Sequence, residues 1–529
     1  MEGPRPQPTS ARDRTLLLCA FVALIVASLI PIWLIPRQPL PDQAVHLAAA
    51  SVLHSLHDPA FDFARYYDLS LGLNPYWGYY GPMYLLSFLF KVETANRVVL
   101  SLYAASLPIG TALLARRFDR SPWLGLFAFP IVWNYNFGIG FISFSIALGL
   151  LPFALASFDW FCERPTVIRG FLAALLGTAM YFCHLLPWGM YLGAAGLIGL
   201  LHRGRTFTRI LSRLFVWSVS ALVGIFVTLR GKGLHMGSMN QGITWKRYPT
   251  WQSIGELYQW TWDAWTGHED EALAISLFLC WLALKLTSRR QSITLHDLRP
   301  EACFAVALSA YLILPRSVLT PAYWWGINLR FSCMAILFAG LCIQGSIEGR
   351  RRLLLIPLFL VALGFTADTT WHWHVADRFT SGYDSLAQRP EPGSRVLFIL
   401  GQPWHDPTAR LNYAHIYYDV YQAQRGGYMP WNFDDAFPLK YKARYPAPHW
   451  RAMNFDWQKH APYYDYVMAF QKDARAVFPG HEKDVTLVAE EGKWKLFKLP
   501  GPRVDVSPGP IYPSDWSFDP GWRPPASPK

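Results

Sequence analysis

Thr15-Leu-Leu-Leu-Cys-Ala-Phe-Val-Ala-Leu-Ile-Val-Ala-Ser-Leu-Ile-Pro-Ile-Trp-Leu-Ile35 is an apolar run with no charged side chain, and Arg5, Arg12 and Arg14 precede it. At 1.5 Å per helical residue it reaches across a hydrocarbon core of ~30 Å. It is longer than the apolar part of a secretory signal and no small-residue cleavage site is evident, so it is expected to persist as a first membrane helix. Similar runs recur, and the predicted fold is an α-helical polytopic membrane protein of about eleven helices. They fall near 15–35, 97–115, 122–136, 140–158, 170–184, 187–201, 212–229, 271–287, 301–315, 328–346 and 353–366. The average composition, 52% hydrophobic and 16% charged, would also suit a large soluble enzyme; the confinement of charge to the gaps between apolar runs decides against one.

The basic gaps alternate with poorly charged ones. Clusters stand at Arg116/Arg117/Arg120, Arg164/Arg169, Arg203/Arg205/Arg209/Arg213, Lys285/Arg289/Arg290/Arg299 and Arg350/Arg351/Arg352, each two apolar passes from the next. Positive short loops stay on the cytoplasmic side, so the N-terminus is expected inside and the C-terminus outside, in a bacterial inner membrane. The net charge of +12 is thereby explained by topology, and no nucleic-acid partner is expected. All seven cysteines lie at or before Cys342 and none forms a CxxC pair, so the C-terminal region is expected to lack disulfides and a zinc motif.

The domain reading is a membrane domain over 1–366 with large external loops 36–96 and 230–270, an external α/β domain over 367–505, and a Pro/Gly-rich flexible tail over 506–529. In the first loop, Asp42 to His54 and the aromatic Tyr76 to Phe90 are expected to form helices at the membrane surface. The segment Trp133 to Gly140 is expected not to cross fully, its backbone facing protein or a water-filled cavity. In the terminal domain, Arg395–Leu400 and Tyr464–Phe470 are strand-like. Val485–Ala489 and Trp494–Leu499 flank Glu491-Gly492 as a hairpin.

The candidate chemistry starts at Pro39-Leu-Pro-Asp42-Gln-Ala-Val-His46, directly after the first helix. A spacing of four puts Asp42 and His46 on one helical face. Asp42 could simply cap that helix; as an acid at the external mouth of a bundle it could equally take a proton from an acceptor. A divalent metal is left open and no metal ligands are assigned, because His54, His57 and Asp58 are scattered. The 24 Trp and 26 Tyr residues suit a membrane interface, and also the stacking of sugar rings.

An external Pro-x-x-Asp-x-x-x-His helix after a first membrane helix resembles the GT-C superfamily of membrane glycosyltransferases. Tyr66-Tyr67-Asp68, Leu73-Asn74-Pro75, the Tyr76–Tyr80 run, Asn134 to Gly140, Leu314-Pro315 with Asn328-Leu329-Arg330-Phe331, and the domain opening Pro392-Gly393-Ser394-Arg395-Val396-Leu397 resemble further features of that superfamily. The last is notable in the bacterial set named 6-pyruvoyl-tetrahydropterin-synthase-related. The resemblance implies that Asp42 is the general base and that Arg330 contacts the phosphate of a polyprenyl-phosphate-linked sugar. It implies also that His46, Asn134, Asn136, Tyr80 and Trp325 lie in the substrate site. Structural alternatives exist: Arg330 as a snorkelling interfacial cation, and His184 as a buried, hydrogen-bonded histidine. Where many members carry a second external carboxylate, this sequence has Asn134 and Asn136; Glu256 and Asp263 are the substitutes on offer.

No Walker loop or dinucleotide fingerprint is present, which argues against ATP-driven transport. A lipid-linked sugar donor, with membrane lipid around it and a glycan, lipid or protein as acceptor, suits an outward-facing site. The alternatives are a transporter or flippase, which would call for inverted repeats and ionisable groups at mid-membrane, and a non-catalytic binder of lipid-linked sugars.

Overall fold

The computed structural model describes residues 11–204, 206–230, 244–247, 249–288, 293–320, 324–401, 406, 408–411, 413, 416–430, 438–448, 455–471, 477–501 and 503–505. The tail 506–529 and residues 231–243 of the second large loop lie outside them.

In chain order the helices are α1 Ala11–Leu34, α2 Pro41–Ser55, α3 Phe63–Tyr66, α4 Trp77–Ser87, α5 Val92–Arg117, α6 Ala128–Val132, α7 Tyr135–Ile139, α8 Ile142–Glu163, α9 Val167–Cys183 and α10 Leu185–Leu201. There follow α11 Phe207–Arg230, α12 Thr250–Gly255, α13 Glu269–Leu286, α14 Arg299–Ile313, α15 Arg330–Leu341, α16 Leu355–Phe379, α17 Tyr383–Ala387, α18 Ile416–Arg425 and α19 Trp457–His460. The strands are β1 Tyr67–Leu69, β2 Thr244–Lys246, β3 Ser317–Thr320, β4 Trp324–Trp325, β5 Val396–Leu400, β6 Leu439–Tyr441, β7 Tyr466–Phe470, β8 Thr486–Glu491 and β9 Trp494–Lys498.

The structure is 64% helical. Among the described residues five helical stretches are long and apolar enough to cross a bilayer: α1, α5, α8, α11 and the stretch Gly349–Phe379 containing α16. Shorter apolar helices, α9, α10 and α15, occupy other expected passes.

Two compact units result. The first gathers 1–35, 72–82 and 97–371; the second gathers 36–71, 83–96 and 372–529. In the first, α8, α9, α10, α11, α14 and α15 pack side by side. Small residues let them approach: a Cβ on Gly177 would stand 2.6 Å from the Tyr191 hydroxyl and 2.4 Å from Ser220 Oγ.

The pass expected over 122–136 is broken instead. Pro122 opens a 3-10 turn through Phe127, and α6 and α7 are each five residues long. Between them Asn134 takes an extended backbone, and its side-chain oxygen accepts from the amides of Asn136 at 3.0 Å and Phe137 at 3.2 Å. Its Nδ2 donates to the Ile131 carbonyl at 2.8 Å and to the Tyr103 hydroxyl at 3.1 Å. Gly140, at φ +96°, ends α7 in the left-handed conformation that a side chain disfavours. Trp133 to Ile139 are buried apart from Gly138, so this interrupted backbone is shielded by protein.

A charge cluster ties helix ends in the same unit. Arg299, 1% exposed, donates to Asp159 Oδ1 at 2.5 Å, to Asp119 Oδ2 at 3.1 Å, to the His296 carbonyl at 2.7 Å and to the Arg117 carbonyl at 3.2 Å. Asp159 is fully buried and takes a second bond from Arg117 at 3.2 Å.

In the second unit a four-stranded sheet runs in the order β5-β7-β9-β8, with β5 parallel to β7 and the other pairs antiparallel. Every residue of β5 and β7 is buried. The expected hairpin forms over β8 and β9, turning at Gly492 with φ +61°. The first loop contributes β1, which pairs antiparallel with β6, Tyr67 opposite Tyr441. The loop also contributes α2. Expected at a membrane surface, α2 is instead buried along almost its whole length and packs on α18. Ala44, Ala48, Ala49 and Ala50 leave room for that close approach.

Replacing Arg299 by Met should leave the buried Asp159 charge to Arg117 alone and lower stability by roughly 3 kcal/mol. In thermal unfolding of detergent-solubilised protein, Arg299→Met combined with Asp159→Asn should recover part of the loss.

Candidate functional site

Asp42 owes its place to the residues before it. Leu40 is extended, as a residue preceding proline prefers, and Pro41 starts α2 where a missing N–H costs nothing. Upstream, Arg37 is held by Asp384 and by Asp377 at 3.4 Å, and lies over the rings of Tyr383 and Tyr417 at 5.4 and 5.7 Å. That anchors the entry to α2 within the second unit. Asp42 sits in the first turn, where the helix dipole favours a negative charge. From Pro41 to Leu53 only Asp42 and His46 keep partial exposure. The two residues singled out by their spacing are thus the open face of a buried helix. Burial pushes the His46 imidazole down to about 4, so it is neutral at pH 7 and can act as acceptor or donor but not as a cation.

Beneath α2, α18 brings a residue that sequence reasoning missed. Ser51 on α2 donates to the Ala423 carbonyl of α18 at 2.9 Å. One turn before Ala423, Asp419 is fully buried, and among the described residues neither carboxyl oxygen has a hydrogen-bond partner. Burial, and then the charge of Asp42, raise its pKa well above the ordinary carboxylate range. The adjacent Tyr418 hydroxyl is raised by burial, by Asp419 and by Asp42. A signal was available: α18 buries Ile416, Tyr417, Val420, Tyr421 and Ala423, and Asp419 falls within that buried row. The external-loop carboxylates Glu256 and Asp263 lie in the first unit, whereas Asp419 lies in the second with Asp42.

In the first unit Arg330 opens α15 and is 5% exposed. Its guanidinium lies over the Phe141 ring at 3.9 Å and donates to the carbonyls of Trp325 at 3.0 Å and Gly326 at 3.1 Å. Trp325, on β4, has its ring 6.3 Å from both Phe141 and Trp260. Arg316 lies over Trp260 at 4.1 Å and pairs with Glu256 at 3.1 Å. Two arginines and three aromatic rings therefore share one cluster, in which Arg330 and Trp325 are neighbours. Arg330 is enclosed in protein here, not extended along a lipid surface.

The other candidates lie elsewhere in that unit. Asn134 spends its side chain on the α6–α7 break. Asn136 is buried and donates toward Cys333 Sγ at 3.9 Å. Tyr80, in α4, is 1% exposed and packs edge-on against Tyr79. His184 accepts from the Leu186 amide at 3.1 Å, capping α10. Glu256 is engaged by Arg316, Trp260 and Gln252. Among the described residues no group of three or more His, Cys, Asp or Glu side chains is arranged to hold a metal ion.

No family model and no curated protein matches the chain. Its structure is similar to the crystal structure of ArnT from Cupriavidus metallidurans in the apo state. The two share a TM-score of 0.51 and 13% identity, over 92% of this chain and 98% of that one. The chain has the ArnT fold.

A histidine whose folded pKa lies below its unfolded value stabilises fully above the unfolded value and loses that contribution as pH falls. The window for His46 runs from about 6.5 down to about 4. His46→Gln should remove this part of the acid loss, seen as a shallower fall in unfolding temperature across that window.

Proposed function

We propose that the chain is a membrane glycosyltransferase of GT-C type that moves a sugar from a polyprenyl-phosphate-linked donor to a glycan, lipid or protein acceptor on the periplasmic face. Its N-terminus would be cytoplasmic and its C-terminal α/β domain periplasmic. The observation that carries this reading is Asp42. In a chain with the ArnT fold, an acid opens the helix that follows the first apolar one, and shares with a neutral His46 the open face of that helix. The bacterial set resembled in sequence is the narrower assignment within this reading.

The reaction is a direct displacement. The acceptor oxygen forms a bond to the anomeric carbon while the bond from that carbon to the phosphate oxygen breaks, its electron pair leaving with the lipid phosphate. The acceptor proton passes to the Asp42 carboxylate. A single displacement inverts the configuration. Arg330 is assigned the donor phosphate, because a planar, permanently charged guanidinium can exchange two carbonyl partners for two phosphate oxygens. Trp325, Tyr80, Asn134 and Asn136 are assigned to the binding of the sugar and its carrier.

Purified protein should transfer labelled sugar from a panel of polyprenyl-phosphate sugars to membrane-extract acceptors, and Asp42→Asn should lose at least about a hundredfold of that rate. Transfer at the parental rate by the folded variant would remove Asp42 from the chemistry. Arg330→Lys, which keeps the charge and loses the fork, should raise the apparent KM for donor by about tenfold or more. An unchanged KM would return Arg330 to a structural role.

A further inference from the structure

Asp419 poses a problem that the proposed reaction leaves unsolved. A fully buried carboxyl with both oxygens unpartnered costs several kcal/mol if ionised, and an Asn or Leu in its place would fold at lower cost. Its surroundings are specific. The helix packed against α18 is α2, which carries Asp42 and His46 at its partly exposed positions, and His46 is held neutral by burial. On its own helix the neighbour is Tyr418, and β5, packed against α18, offers only Val396 to Leu400. Among the described residues the charge acting on Asp419 is that of Asp42.

We infer that Asp42 and Asp419 form a carboxyl–carboxylate pair carrying one proton between them, with Asp419 the protonated member and Asp42 the ionised, outward one. A carboxyl buried this deeply keeps its proton near neutral pH when the charge of a second carboxylate bears on it. Asp419 is a positioning residue: by holding the proton it leaves Asp42 as the single negative charge of the pair, ready to take a proton from a ligand. The packing of α2 on α18, fixed by Ser51 and Ala423, keeps the two members within reach of each other's charge. This inference rests on the proposed function only for the use made of the Asp42 charge; the pair itself exists without a substrate. Its pH signature has a definite sign. Because the folded pKa of Asp419 is raised, its stabilising contribution is complete in acid and is lost as pH rises through that value.

Infrared spectroscopy of the full chain in detergent micelles, titrated from acid to alkaline pH, tests the pair without substrate. The carbonyl stretch of a protonated, unbonded carboxyl should persist above neutral pH and be absent from Asp419→Asn. In Asp42→Asn it should titrate at least about one pH unit lower, since the repelling charge is gone. A merely structural acid would not respond to Asp42→Asn. No protonated band at neutral pH, or a band indifferent to Asp42→Asn, would overturn the pair. Asp419→Asn copies the shape of the protonated acid and is expected to fold; Asp419→Leu, with its unfolding temperature at alkaline pH no lower than that of the parent, is the second control. A band with the expected coupling in a chain that transfers no sugar would keep the pair and sink the enzyme reading. Transfer without the band would do the reverse.

Discussion

A polar group taken out of water is costly unless another meets it, and much of the fold follows from that constraint. Apolar runs become helices because a helix satisfies its own backbone. Where proline forbids continuity, between Pro122 and Gly140, a single buried side chain takes over: Asn134 bonds two amides, one carbonyl and one hydroxyl. Arg299 meets Asp159 and Asp119 in the same way, and Arg330 meets the carbonyls that precede its own helix.

Several buried polar atoms lack a partner among the described residues, and Asp419 is the carboxyl that lacks one on both oxygens. It lies on α18, packed against α2, where as far as Leu53 the half-open positions are Asp42 and His46. Exceptions to polar satisfaction that a protein retains mark places where stability has been given up for chemistry. The energetic logic favours proton handling: a neutral imidazole, one ionised carboxylate and one protonated carboxyl provide acceptor and donor groups around a proton and leave little charge for a cation. An acceptor hydroxyl losing its proton fits that set.

Much of the architecture was legible because hydropathy is a strong, long-range pattern. Leu353 to Phe365 reads as a helix wherever it occurs, and Val396 to Leu400 as a buried strand. The pass over 122–136 was misread because apolarity was weighed above Pro122 and Pro130, which break hydrogen bonding regardless of side-chain hydropathy. The burial of α2 was misjudged for a related reason: Asp42, His46 and His54 look amphipathic along the chain, yet the alanines between them are what a neighbouring helix requires. In the site, Asp42 and His46 could be paired by spacing because they lie on one helix. Asp419 could not be joined to them, since 377 positions separate it from Asp42 and only the α2–α18 packing brings the two together. Nor did the sequence show that Asn134 belongs to the fold, because a cap and a ligand contact use the same amide.

The account's central claim is that the Asp42 and His46 face of α2 is where chemistry occurs. A structure of the full chain in a lipid nanodisc, determined with a polyprenyl-phosphate sugar bound, tests it most directly. The account predicts the anomeric carbon of the sugar within reach of the Asp42 carboxylate, with room for an acceptor oxygen between them. A donor bound with its sugar remote from Asp42 and His46 would contradict it.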